Sequence, residues 1–158
     1  MSEKLTVYTL GHSNRSLSEF IALLRRYSIR VIVDVRRFPT SRACPWFSKD
    51  SLSKALSAEG IEYVWLGELL GGYRSGGYEK YMSTDAYAHG ISVLVDIIRR
   101  HNGHVAIMCS EKLWFRCHRR FIADTLTSLG IEVIHIIDVA KLYKHKGPRK
   151  LNSQLKLS

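Results

Sequence analysis

The chain has 158 residues, of which 46% are hydrophobic, and a formal net charge of +10. The length suits one domain with an ordinary buried core, and the apolar fraction excludes a disordered or fibrous protein. No apolar run approaches the roughly 20 residues that a membrane-spanning helix needs, and the N-terminus lacks a signal pattern, so we expect no membrane association. Three cysteines at irregular spacing argue against a secreted disulfide framework and for the reducing cytoplasm.

The positive charge is concentrated towards the C-terminus. Residues 1–140 contain 18 basic and 14 acidic side chains, whereas residues 141–158 contain six basic side chains and no acidic one. We therefore predict a single α/β domain at residues 1–140, followed by a basic tail at residues 141–158. Such tails often bind nucleic acid, but a solvated end that only adds charge is an equally good explanation.

Strand-like and helix-like segments alternate along the chain. Residues 5–10 predict the first strand, and the helix that follows begins with Ser16 and Glu19 at the spacing of a capping box. Further strands are predicted at 31–35, 61–66, 104–109 and 132–137, and further helices near 50–58, 85–100 and 117–129. The glycine-rich run at 67–78 predicts a loop. This alternation predicts an α/β fold, with a mainly parallel sheet of about five strands and helices on both faces.

Polar, glycine or cationic residues follow each predicted strand. Because ligands of open α/β sheets bind at the carboxyl ends of the strands, we expect these residues to converge on one edge. An edge rich in arginine favours an anionic ligand. The candidate anion-binding or substrate-binding residues are Gly11, His12, Ser13, Arg15, Asp34, Arg36, Ser41, Glu111 and Arg119.

Two of these candidates have a structural alternative. His12 could cap or fill the turn before the first helix instead of binding an anion. Asp34 lies inside an apolar strand, where a carboxylate needs a partner, so it could form an ion pair with a neighbouring arginine rather than act as a general base.

The segment VAIMCSEKLWFRCHRR, residues 105–120, joins the fourth predicted strand to the next helix. Nearby cations or the helix N-terminus could lower the pKa of Cys109 and make it a nucleophile, with His118 as the acid or base. The alternative is that Cys109 is a small buried side chain. The loop has no glycine and one residue too many before Arg116, which argues against the phosphate-binding loop of cysteine phosphatases.

The two cysteines of this segment also suggest two other kinds of site. Cys109 and Cys117 could form a redox pair, or they could bind a metal ion together with His118. Their spacing matches neither a CxxC motif nor a common zinc module, so we predict no metal and no cofactor.

Four motifs in this order resemble the domain-of-unknown-function 488 family, a large prokaryotic family: TLGHSNRSLSEFIALL, VDVRRFPTSR, LGELLGG and MCSEKLWFRCHRRFIA. The resemblance spans roughly residues 6–140 and implies a single-domain α/β protein of bacteria or archaea, without implying an established reaction. The matching positions are Gly11, His12, Ser13, Arg15, Asp34, Arg36, Pro39, Ser41, Gly71, Gly72, Cys109, Glu111, Cys117, His118 and Arg119. The family often has a proline between the cysteines, where this chain has Lys112-Leu113-Trp114. The resemblance also implies that Cys109, Cys117 and His118 act together.

These observations predict an enzyme with a thiol-containing, cationic pocket at the strand ends, acting on a phosphate-bearing substrate such as a nucleotide or nucleic acid. Cys109, Cys117 and His118 are the catalytic candidates. One alternative is a non-catalytic module that binds DNA or RNA through the basic tail and the tyrosine-rich loop. The other is a metal or redox sensor built on the same three residues.

Overall fold

The structure is a computed structural model that describes residues 4–147. Its strands are β1 (Thr6–Gly11), β2 (Val31–Asp34), β3 (Glu62–Trp65), β4 (Val105–Cys109), β5 (Glu132–Asp138) and β6 (Lys141–Lys144). Within the described residues they form one six-stranded sheet in the order β3-β2-β4-β1-β5-β6, in which only the β5–β6 pair is antiparallel. The predicted single-domain α/β fold with a mainly parallel sheet is confirmed.

The helices are α1 (Leu17–Arg26), α2 (Lys49–Ala58), α3 (Gly67–Leu70), α4 (Tyr78–Tyr81), α5 (Asp85–Arg100) and α6 (Arg119–Ser128). The capping box that starts α1 is confirmed, because Ser16 Oγ accepts from the Glu19 amide at 3.1 Å and the Ser16 amide donates to Glu19 Oε1 at 2.8 Å. The short helix α3 lies in the run predicted as a loop, and the short helix α4 begins at the last residue of that run. Tertiary hydrogen bonds link them, since the Tyr78 hydroxyl donates to the Leu70 carbonyl at 2.7 Å.

The helices cover both faces of the sheet. One face packs against α1 and α2 around Leu10, Phe20, Leu24, Ile32 and Leu52. The other packs against α5 and α6 around Val33, Leu94, Ile98, Ile107 and Leu126. Within residues 4–147, none of the helices has both the length and the apolar character of a membrane-spanning segment.

The order of the strands creates a crevice at the C-terminal end of β4. This strand lies between β2 and β1 in the sheet. The chain leaves both neighbours towards the face covered by α1 and α2, whereas it leaves β4 towards α6 on the opposite face. The loop after β4 therefore diverges from the loops on either side, which is the arrangement that generates ligand sites in doubly wound sheets.

The sheet also continues into the segment that the charge pattern assigned to a basic tail. Residues 141–144 form β6, and the Tyr143 ring stacks on Trp114 with centroids 5.4 Å apart. The side chains of Lys141 and Lys144 are exposed, as is common on an edge strand, where lysine discourages pairing with further strands. The remaining part of the predicted tail, residues 148–158, lies outside the described residues.

The loops after β1 and β4 cross in direct contact. The His12 amide donates to the Cys109 carbonyl and the Ser13 amide to the Ser110 carbonyl, both at 2.9 Å. A Cβ atom on Gly11 would overlap the backbone carbonyl of Glu111. Only glycine permits this approach, which holds the loop after β4 in place.

We expect Gly11→Ala to lower the free energy of unfolding by about 2 kcal/mol or more, because the backbone after β4 must move to make room. Urea denaturation followed by circular dichroism measures this change. Ser110→Ala, at an exposed position in the same crossing, is the control and should change stability by less than about 0.5 kcal/mol. Equal stability of Gly11→Ala and wild type would contradict the close contact.

Candidate functional site

A cavity of about 580 Å³ opens at the C-terminal end of β4. Its lining includes the three predicted catalytic residues, Cys109, Cys117 and His118, together with Arg36 and Glu111 from the predicted binding set. The structure therefore brings these five residues to one place, at the crevice that the strand order creates.

The two cysteines of the cavity face each other. Their Sγ atoms lie 2.9 Å apart, and both thiols are free. Cys109 is 2% exposed, because it is the last residue of the buried strand β4. Cys117 lies just before α6, and its sulfur accepts hydrogen bonds from the backbone amide of Arg119 at 3.3 Å and from Arg119 Nε at 3.4 Å.

These surroundings give the two thiols different pKa values. The hydrogen bond from Cys109, together with the charge of Arg119, lowers the pKa of Cys117 to about 5 despite burial. Burial raises the pKa of Cys109 well above that of an ordinary thiol, and the adjacent Cys117 sulfur adds to this effect. At neutral pH, Cys117 is therefore the thiolate and Cys109 the thiol that donates to it.

Arg119 is the cation that supports this thiolate, and it is 1% exposed. Beyond Cys117, its guanidinium donates to Thr9 Oγ1 at 3.0 Å and to the Glu111 carbonyl at 2.6 Å. The loop after β4 thus directs carbonyl oxygens towards a buried cation. A phosphatase-type loop would instead direct amides towards an anion, so the contacts agree with the argument from the missing glycines.

His118 lies at the N-terminus of α6. Its Nε2 is 2.8 Å from the Val35 carbonyl, which can only accept, so Nε2 carries the proton. Burial lowers the pKa of His118, and the neutral ring presents Nδ1 as an acceptor. A Cβ atom placed on Gly72 would lie 3.3 Å from this Nδ1, so Gly72 leaves room beside it.

Two further predicted binding residues, Asp34 and His12, form a buried network with Arg36 behind the cavity. Arg36 Nε and Nη2 donate to the two carboxylate oxygens of Asp34 at 2.9 and 2.7 Å, and Asp34 is 0% exposed. Arg36 Nη1 lies 3.3 Å from His12 Nε2, and burial lowers the pKa of His12 to about 4. Neutral His12 accepts this bond and donates through Nδ1 to the Ser13 carbonyl at 2.8 Å. For Asp34, this geometry agrees with the ion-pair alternative.

The remaining predicted binding residues do not line the dithiol cavity. Arg15 Nη2 donates to the Ile137 carbonyl at 2.8 Å, and Arg15 and Ser13 line a second cavity of about 410 Å³ beside α1. Ser41 Oγ accepts from the Cys44 amide at 3.0 Å and shapes the loop after β2. Gly11 lies in the crossing of the two loops, where its role is steric.

Several residues at the cavity were not among the predicted site residues. Arg37, Phe38, Tyr73 and Arg116 line it, and Phe38 and Tyr73 are 63% and 84% exposed. Their ring centroids lie 5.7 Å apart, and Arg37 Nη1 donates to the Tyr73 carbonyl at 3.0 Å. The glycine-rich loop with its tyrosines was a sequence signal for Tyr73, but nothing in the sequence indicates that Phe38 meets it.

No group of three or more His, Cys, Asp or Glu side chains within residues 4–147 is arranged to hold a metal ion. The alternative of a metal sensor built on Cys109, Cys117 and His118 therefore gains no geometric support. The redox alternative is supported by the contact between the two sulfur atoms.

The comparison with protein families matches residues 16–126 to a model described as "Domain of unknown function DUF488". Neither the comparison with curated proteins nor that with solved structures found a match. The matched range includes Cys109, Cys117 and His118 and covers more than half of the 158 residues. The extent of this match, together with the four ordered motifs, shows that the chain belongs to the DUF488 family.

Proposed function

We propose that this protein is an enzyme that uses the Cys109–Cys117 dithiol as its catalytic centre and acts on a phosphate-bearing substrate. The observation that carries the proposal is the 2.9 Å separation of the two sulfur atoms, with one of them beside Arg119 at the start of α6. A thiolate at a helix N-terminus next to a cation is an activated nucleophile, and a second thiol in contact with it can displace whatever it has bound.

The chemistry that suits this pair is thiol–disulfide exchange. The Cys117 thiolate attacks an electrophilic sulfur of the substrate, so that a Cys117–substrate disulfide forms and the substrate's sulfur–sulfur bond breaks with release of a thiolate. Cys109 then attacks Cys117 Sγ, giving the Cys109–Cys117 disulfide and releasing the second substrate thiolate. The substrate gains two electrons and the dithiol loses two. An external thiol reductant then returns two electrons to the dithiol. The proton that Cys109 loses passes to the first substrate thiolate released, so that the exchange is balanced.

The nucleophile in this scheme is Cys117 rather than Cys109, to which the sequence pattern assigned that role. The reason is electrostatic, because Cys109 lies deep in the apolar end of β4 while Cys117 contacts the guanidinium of Arg119. Cys109 is therefore the resolving thiol.

The exposed side of the cavity supports a disulfide substrate that also carries a phosphate and an aromatic ring, as a disulfide with a nucleotide portion would. Arg37 and Arg116 supply positive charge there, and Phe38 and Tyr73 offer exposed ring faces for stacking. A volume of about 580 Å³ lies within the range of small-molecule sites.

The second candidate function is binding of single-stranded nucleic acid without catalysis. The net charge of +10 and the aromatic pair beside Arg37 favour it, because exposed rings and cations together suit base stacking and backbone contact.

The acidity of Cys117 is the first test. We expect its alkylation by iodoacetamide, located by peptide mass spectrometry, to reach half of its plateau rate near pH 5, because the thiolate exists above the pKa of about 5 and disappears below it. Cys44 and Cys109, both buried, should react slowly over the same range and are the internal controls. A Cys117 midpoint near pH 8.5, the ordinary thiol value, would contradict the proposal.

The dithiol is the second test. Mild oxidation with diamide should reduce the thiol count from three to one and lower the mass by two hydrogens. Cys44→Ser should still form this bridge within the monomer, whereas Cys109→Ser and Cys117→Ser should not. If Cys109 and Cys117 remain free thiols under oxidant in the folded protein, exchange chemistry at this site is excluded.

The third test identifies the class of ligand. Calorimetry measures the binding of adenosine monophosphate, inorganic phosphate and a short single-stranded oligonucleotide. We expect Arg116→Ala to weaken binding of the nucleotide and of phosphate, and Phe38→Ala to weaken binding of the nucleotide only, each by about 1 kcal/mol or more. Arg99→Ala, which removes an exposed cation in the last turn of α5, outside the cavity lining, is the control. Binding of the oligonucleotide alone would favour the second candidate, and no binding of any of the three ligands would contradict both.

A further inference from the structure

A chain of hydrogen bonds leads from Arg119, beside the dithiol, through the buried interior to Asp124 on α6. Arg119 Nη1 lies 3.0 Å from Thr9 Oγ1, and Thr9 Oγ1 lies 2.6 Å from His135 Nδ1. His135 Nε2 lies 2.9 Å from His145 Nδ1, and His145 Nε2 lies 2.6 Å from Asp124 Oδ1. The members come from β1, β5, the residues after β6, and α6, so the chain depends on four separate parts of the fold.

The middle of this chain is closed to substrate. Thr9 is 1% exposed, His135 0% and His145 5%. The Trp114 ring covers His135, with centroids 4.5 Å apart and ring planes within 5° of parallel. The two imidazoles therefore do not face the cavity, and they cannot be acid–base groups that touch the substrate.

The hydrogen bonds have one consistent direction when both imidazoles are neutral. The Asp124 carboxylate only accepts, so His145 Nε2 donates to it and His145 Nδ1 accepts from His135 Nε2. His135 Nδ1 then accepts the hydroxyl proton of Thr9. This leaves the Thr9 oxygen free to accept from Arg119, which can only donate. Each donor in the chain meets an acceptor. Because every hydrogen bond donates in the direction of Asp124, the Thr9 oxygen is left to accept from Arg119.

The guanidinium of Arg119 is planar, so its contacts constrain one another. Nη1 is held by Thr9, Nη2 by the Glu111 carbonyl, and Nε is then directed at Cys117 Sγ. Loss of the Thr9 contact would leave one edge of the plane without its acceptor and would allow the group to rotate away from the sulfur.

We propose that Thr9, His135, His145 and Asp124 are positioning residues that hold Arg119 against the Cys117 thiolate. This deepens the proposed function and rests on it, because the chain matters to catalysis only if Cys117 is the nucleophile. It also gives β6 a role in the site, since β6 brings His145 to the chain.

Thr9→Val is the main test, because it removes the hydroxyl and keeps the shape of the side chain. We expect the alkylation midpoint of Cys117 to move to higher pH, so that the rate at pH 4, below the wild-type midpoint, falls several-fold, because at that pH each unit by which the pKa rises leaves about tenfold less thiolate. Thr9→Ser, which restores the hydroxyl, should return the wild-type profile. Asp124→Ala, at the opposite end of the chain, should shift the midpoint in the same direction and by a smaller amount.

Thr125→Val is the matched control. Its hydroxyl lies on α6 and contacts the Tyr87 hydroxyl at 2.7 Å, outside the chain. Thr125→Val should lower the melting temperature of the protein without changing the pH dependence of Cys117 alkylation. If Thr9→Val and Asp124→Ala lower the melting temperature but leave the midpoint at its wild-type value, the chain is purely structural and the proposal is wrong. Should Thr9→Val fail to fold, the comparison of Thr9→Ser and Asp124→Ala with wild type decides.

The two proposals can fail separately. An ordinary midpoint in the wild-type protein contradicts the proposed function. The shift between wild type and the Thr9 or Asp124 variants tests the positioning chain, whatever the wild-type midpoint is.

Discussion

The burial of the Arg119 guanidinium is the constraint on which the rest of the site depends. A cation removed from water is strongly unfavourable unless every donor has a partner and a negative charge lies close by. The Arg119 guanidinium finds partners of this kind in carbonyls of the loop after β4, the hydroxyl of Thr9 and the sulfur of Cys117. The thiolate and the guanidinium therefore stabilise each other, and the shape of the loop between the cysteines follows from the carbonyls that Arg119 holds.

The strand order determines where this cation lies. β4 lies between β2 and β1, and the loop after it runs to the opposite face of the sheet from the loops after β1 and β2. A crevice therefore opens at the C-terminal end of β4. Gly11 lets the loops after β1 and β4 touch, which moves the chain after Cys109 into position for Cys117 to return to it. The close contact of two thiols separated by seven residues is thus a consequence of topology rather than of a local motif.

The arginines of this edge divide into two groups with different roles. Arg15, Arg36 and Arg119 are bound by carbonyls, a carboxylate and a thiolate inside the protein, and they organise the loops. Arg37 and Arg116 lie further out on the cavity, beside exposed aromatic rings. The cationic pocket predicted from the sequence is therefore a site with two layers of arginines. The structural arginines lie behind the thiols, and the arginines proposed to bind substrate lie in front of them.

Hydrophobic periodicity, the capping box and the glycines determined the α/β class, five of the six strands and the edge of the sheet at which Cys109, Cys117 and His118 meet, because these features depend on local pattern and on a general rule of parallel sheets. Only the tertiary structure decided which cysteine carries the charge, since that depends on the sulfur contact and on Arg119. It also decided that Asp34 pairs with Arg36, and that a segment counted as a basic tail contains β6. The chain from Thr9 to His135 joins residues 126 positions apart, and no sequence pattern encodes a hydrogen bond over that distance.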